Sequence, residues 1–267
     1  MAEKNRSGKL FYPITIILAF FSGGITLLVL GGLFTFISPE SILQTLSSPE
    51  IRYAIQLSLI TSVISTVLCA VVAIPTGYIL SRGELPGQRP LVMLLMLPLS
   101  LPPLVAGVAL LLFFAKTPIG TGLEDIGITV VYTHLGIIIA QWFVNLPYLI
   151  RVMRSSFAMI SPRYEHIART LGCTDFQAFR YIALPMARAG LISGLVITWS
   201  KVMGEFGAVL MLAGATRMHT ETLPIALYLN MSTGDLDIAI TTACILLGIA
   251  AVTMFFFEHL SEGSDRI

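Results

Sequence analysis

Charge is scarce in this sequence: 12% of the 267 residues are Asp, Glu, Lys or Arg, about half the share of an ordinary soluble domain. That excludes a water-soluble globule of the usual kind. The formal net charge is +1, so a nucleic-acid partner has no electrostatic support. The three cysteines, Cys69, Cys173 and Cys244, are far apart and form no CxxC or Cys/His cluster. A disulfide framework and a metal site in this chain both fall away on that spacing. No GxxxxGK[ST] occurs, so the chain holds no P-loop for ATP, and neither HExxH nor GxSxG is present. A membrane-embedded enzyme lacks any clustered catalytic constellation, and no catalytic residue is assigned.

Apolar residues make up 55% of the chain, with 22 glycines and 14 prolines, residues that are commoner in membrane helices than in soluble ones. Lys4, Arg6 and Lys9 precede an apolar run over 10–37. That run exceeds the core of a signal peptide and is followed by no small-residue cleavage site, so it reads as a retained first helix. Stretches long enough to span a bilayer fall at 11–37, 53–80, 91–114, 128–150, 189–213 and 236–257. The expectation is an all-α integral membrane protein, one domain over 1–267, with six transmembrane helices. No internal repeat is visible.

Twelve of the 16 Lys and Arg lie in the segments that face inward if the N-terminus is cytoplasmic; three lie in the outward ones, and Lys201 is inside a span. The positive-inside rule then puts both termini in the cytoplasm.

The longest inward segment, 151–188, reads as two short helices. Ser161-Pro162 supplies an N-cap and a first-turn proline, and Gly172 supplies a stop after Leu171. Thr174-Asp175-Phe176-Gln177 is a capping box for a second helix, which Leu184-Pro185 ends. Phe176, Phe179 and Ala183 fall on one face of it. Such a hairpin either packs on its own spans or protrudes into a groove on a partner.

Two spans carry residues unusual in lipid. The third holds Ser100, Pro102 and Pro103 within Leu97–Gly107, where missing amide hydrogens break the helix ladder. This is either a packing kink or a broken segment lining a pathway. The fifth holds Lys201, Glu205 and Gly207. Four residues apart on a helix, Lys201 and Glu205 share a face and neutralise each other, as a structural pair or a gate. Gly190 and Gly194 form a GxxxG, the signature of a close helix contact.

Ala168-Arg169-Thr170-Leu171-Gly172, nine intervening residues, then Ile182-Ala183-Leu184-Pro185 resemble the coupling loop of ABC importer permeases. That family's pattern opens E-A-A; here His166 and Ile167 occupy the first two positions, and Glu165 stands one residue early. The LPP-x-V-x-G element, Gly204-Glu205-Phe206-Gly207-Ala208 and Glu221–Tyr228 are similar to elements of molybdate and sulfate-type oxyanion permeases. The resemblance implies a type I ABC importer permease fold and a homodimer. It implies two ATPase chains that bind ATP and Mg, an external solute-binding protein, and molybdate or tungstate as cargo. Sulfate or thiosulfate is the alternative within the family. An ion-coupled secondary transporter using Lys201 and Glu205 as a relay is the alternative outside it. The resemblance also implies that Pro162, Glu165, His166, Ala168, Arg169, Leu171, Gly172, Phe176, Leu184 and Pro185 belong to an ATPase-coupling surface. Within it, 162–172 is the contact and 174–185 the support.

Overall fold

The computed structural model describes the backbone of residues 4–83 and 86–262, and side chains between 11 and 255. The basic residues of the extreme N-terminus therefore lie outside the described side chains. Among the described residues the fold is helical throughout, from α1 (Lys4–Leu33), which ends in a 3₁₀ turn, to α14 (Leu236–Glu262). Four helices are long and apolar enough to cross a membrane, and six spans result if each of two sharply bent helix pairs counts as one.

Three short helices lie where connecting segments were expected: α2 (Pro39–Ser47), α6 (Pro118–Asp125) and α13 (Leu223–Thr233). Their starts are written locally. Ser38 accepts the Ser41 amide and Thr117 the Gly120 amide, each followed by a first-turn proline. The second span is α3 (Pro49–Arg82), capped by Ser48 and stopped by Gly83 at φ +71. The fourth, α7 (His134–Ala158), is capped by Thr133. It starts six residues later than the apolar run at 128 and continues eight beyond 150, because the hydropathy of 128–133 is not matched by helical pairing.

The third span is broken. Helix α4 (Gln88–Ser100) stops, Leu101 and Pro102 are extended, and α5 (Pro103–Lys116) restarts at 108°. Each of those two residues precedes a proline, whose ring pushes its neighbour out of the helical region. The fifth span is broken too: α11 (Arg188–Met203) ends at Gly204 and α12 (Gly207–Ala213) begins three residues on.

Helices α3 and α7 run side by side in the same direction, from Tyr53 beside His134 to Arg82 beside Phe157. A β-carbon on Gly77 would stand 2.5 Å from Met153 Cβ, so this glycine sets their separation. Helix α11 packs antiparallel on α7. Gly190 faces Ser156, and Gly194 faces Val152 and Met153, at distances that admit no side chain. The GxxxG is thus a close helix contact.

The core has two main parts. At one end of the bundle Leu80, Leu149, Met153, Phe157, Ala183 and Leu191 pack together; towards the other, Leu57, Ile137, Ala208, Leu212 and Ile225 do. Helix α1 joins neither, and its most apolar window is wholly uncovered.

Candidate functional site

Three short helices follow α7 at the end of the bundle where α3 stops: α8 (Arg163–Thr170), α9 (Asp175–Ala178) and α10 (Leu184–Met186). The Ser161 hydroxyl accepts the Arg163 amide at 3.4 Å, and α8 ends in a Schellman turn. In that turn Cys173 N–H reaches Ala168 O and Gly172 N–H reaches Arg169 O, with Gly172 at φ +94. The capping box is present: Gln177 N–H donates to Thr174 Oγ1 at 3.2 Å, and Thr174 N–H to Gln177 Oε1 at 2.8 Å.

The polarity of α8 is inverted. Its inward face presents Glu165, 1% exposed, and Ala168. Its outward face presents Tyr164, Ile167 and Leu171, the last 81% exposed. What draws the carboxylate inward is α3. Arg82 pairs with Glu165 Oε1, and Tyr78 OH donates to Oε2 at 2.6 Å. The same guanidinium donates to Phe157 O at 3.1 Å and Ile160 O at 3.4 Å, so one side chain joins the ends of α3 and α7 to α8. Tyr78 in turn packs on Phe157 and Phe179, with ring centroids 5.4 and 4.7 Å away. Arg169 lies 3.8 Å from Glu165 and 3.0 Å from Asp175, tying α8 to α9.

One expectation changes here. Phe176 does not share the face of Phe179 and Ala183: it is 65% exposed, while Ala183 is buried in the core. A π turn over Phe179–Ala183 lies between Phe176 and Ala183, and its wider winding shifts their register. Leu184-Pro185 lies in the last turn of the second helical run, which ends at Met186 as expected to within a residue. Pro185 lacks the N–H that would continue the ladder, and the chain bends by 73° at Ala187, two residues on. Leu184 packs on the core and Pro185 is exposed. Of the remaining loop candidates, Pro162 and His166 are also exposed.

The broken spans meet each other. A β-carbon on Gly107 of α5 would lie 2.8 Å from Ala208 Cα of α12, and one on Gly207 would lie 3.1 Å from Pro103 Cβ. The two motifs are therefore one junction. Lys201 and Glu205 form no ion pair, because helical spacing ends at Gly204, though their charges remain within electrostatic range. Glu205 is buried and accepts the Ala208 amide at 3.2 Å, capping α12. Lys201 is exposed, its Nζ 5.2 Å from the centre of the Tyr148 ring. Ser100 and Pro102 are exposed at the end of α4.

Sequence reasoning passed over Gln141. Buried in α7, it takes Ser65 Oγ of α3 at 2.9 Å and donates to Val202 O of α11 at 3.3 Å, next to the break. Its signal was an amide inside an apolar span, where side-chain hydrogen bonds link neighbouring helices.

Residues 73–264 match the family described as the binding-protein-dependent transport system inner membrane component. The chain belongs to this permease family. It is a non-catalytic inner membrane subunit of a transport system. It is 36% identical over 210 residues to the molybdenum transport system permease protein ModB of Mycobacterium tuberculosis, covering 78% of this chain and 79% of that one. It is 32% identical over 224 residues to the sulfate transport system permease protein CysW of Synechocystis, covering 84% and 81%. Among solved structures it resembles a permease chain of a bacterial alginate ABC transporter complexed with its periplasmic protein, with TM-score 0.71 at 18% identity. That overlap covers 95% of this chain and 92% of the other, and shows the type of fold.

Proposed function

We propose that this permease carries molybdate or tungstate through the cytoplasmic membrane by alternating access. In this reading two copies form the channel, two ATPase chains bind ATP and Mg, and an external solute-binding protein delivers the anion. The observation that carries it is the inverted polarity of α8. Tyr164, Ile167 and Leu171, with Phe176 beside them, are exposed on a helix held from behind by a buried ion pair. A helix so mounted presents apolar side chains to a partner's groove while its own spans hold it rigidly. The loop and both termini face the cytoplasm in this reading, supported by the distribution of basic residues.

The homodimer is supported by α1. An isolated apolar helix with none of its best window covered needs a second surface or lipid on every side. The junction of Pro102 and Pro103 with Glu205 and Gly207 is the proposed gate, since two broken helices meet there and can change relative angle at their breaks. Molybdate is favoured by the molybdenum permease relatives. Sulfate is the second reading, because the sulfate permeases match at nearly the same identity over a slightly longer stretch. The ion-relay alternative loses its basis, since Lys201 and Glu205 are not paired.

The test is ATP hydrolysis in proteoliposomes by the assembled transporter, stimulated by binding protein loaded with molybdate, tungstate or sulfate in turn. Stimulation by molybdate or tungstate and not by sulfate supports the reading. Stimulation by sulfate alone replaces the cargo, and no stimulation by any loaded protein removes the function.

A further inference from the structure

Lys201 stands near the far end of α11, about 20 Å along the axis from Arg188 at 1.5 Å per residue. It is exposed there, on the seam between α7 and α11. The ion pairs among the described residues are those of Glu165 with Arg82 and Arg169, and of Arg169 with Asp175; none involves Lys201. The carboxylate nearest in sequence, Glu205, gives its Oε1 to the Ala208 amide and lies within electrostatic range of Lys201 without forming an ion pair with it. What holds the ammonium is the face of Tyr148, an interaction that fixes its position without cancelling its charge. Arg151, also exposed, lies three residues along α7 from Tyr148, hence on the same side of that helix and nearer the loop end.

A cation without an ion pair is costly in hydrocarbon, and such residues face a bundle interior or water. A seam that keeps one cation out of any ion pair, with a second one turn away, fits a face turned to an aqueous path. We propose that Lys201 is the counter-charge that draws the oxyanion past the α5–α12 junction, with Arg151 as the next station towards the loop end. The inference rests on the anion-importing homodimer described above. Two copies then present two ammonium groups to one dianion. Lysine suits a transit site, since a compact hydrated charge offers no fixed bidentate grip on an oxyanion. Conduction needs binding strong enough to admit the ion and weak enough to release it. Selection by the path is for charge sign, while the binding protein selects the anion.

The experiment uses the whole transporter, permease with its ATPase and binding protein, in proteoliposomes. Anion uptake and binding-protein-stimulated ATP hydrolysis are measured together. For K201Q, uptake per ATP hydrolysed is expected to fall at least tenfold, with stimulated hydrolysis within twofold of the parent; K201R keeps uptake within about threefold. A charge-specific arm replaces Cys69, Cys173 and Cys244 and introduces K201C. A cationic aminoethyl thiosulfonate should restore uptake to the assembled complex, and a neutral methyl reagent should not. Normal uptake by K201Q overturns the proposal, as does equal loss in K201R or equal rescue by both reagents. Absence of uptake by the unmodified complex with every loaded binding protein sinks the importer reading itself. Normal parental uptake with an indifferent K201Q sinks only the role of Lys201.

Discussion

Arg82 and Glu165, 83 residues apart, form an ion pair in which both side chains are almost wholly buried, at 8% and 1% exposure. The pair is the mechanical link between the loop and the spans. Its arginine also donates to Phe157 O and Ile160 O at the end of α7, so α8 is tied to both α3 and α7. Because removing one partner strands a buried charge, Arg82→Gln or Glu165→Leu should cost about 3–5 kcal/mol. The expected readouts are a lowered unfolding midpoint and loss of coupled transport. Glu165→Gln keeps an acceptor for Tyr78 and should be milder than Glu165→Leu. Equal midpoints for all three variants and the parent would refute the link.

The close approach of α3 and α7 at Gly77 gives a steric prediction. Gly77→Ala puts a β-carbon against Met153 Cβ and the Arg154 amide, where backbone cannot yield, and should destabilise by about 1–3 kcal/mol. Gly23→Ala in α1, with nothing within 4 Å, serves as the control and should leave the midpoint unchanged in detergent. Thermal unfolding of the two purified variants decides the matter.

Gly172 is a conformational requirement of another kind. Its φ of +94 closes the Schellman turn that sets the angle between α8 and α9. Gly172→Ala should cost about 1–2 kcal/mol locally, from the steric penalty of left-handed backbone. The effect should appear as faster proteolysis of the loop and weaker coupling, with the core melting as before. A global loss of stability would show that the turn belongs to the core.

Glu221 provides a pH signature away from the loop. It is fully buried in the segment between α12 and α13, and burial pushes its pKa above the usual carboxylate range. The Met218 amide and the Arg217 charge oppose that shift, and Glu50 reinforces it. A raised folded-state pKa means that the stabilising contribution is complete below the ordinary carboxylate value. It is lost as pH rises through the folded value. Glu221→Gln should therefore raise the unfolding midpoint at neutral pH and flatten its dependence over the mildly acidic range. A variant melting identically to the parent at every pH would contradict the assignment.

How far the sequence foretold these features follows from the range of the interactions behind them. The Gly172 stop, the capping box and the proline break after Ser100 are set within a few residues, and each appears where local chemistry places it. The inward turn of Glu165 depends on Tyr78 and Arg82, which no local pattern connects to it. The supposed Lys201–Glu205 pair presumed continuous helix through Gly204, where the chain in fact breaks and Glu205 caps the next helix. A 3.6-residue period puts Phe176 on the face of Ala183, and the π turn over Phe179–Ala183 shifts that register. Helices α2 and α6 carry legible caps, but apolar length alone marks only spans and leaves the segments between them as connections.

The exposed stripe on α8 is where the account is most directly tested. The permease carrying Ile167→Asp and Leu171→Asp should be purified with its ATPase, and the retained ATPase measured beside the melting of the permease alone. Retained ATPase should fall at least tenfold while the melting midpoint is unchanged, since both side chains face outward. Undiminished retention and normal uptake by this variant would contradict it.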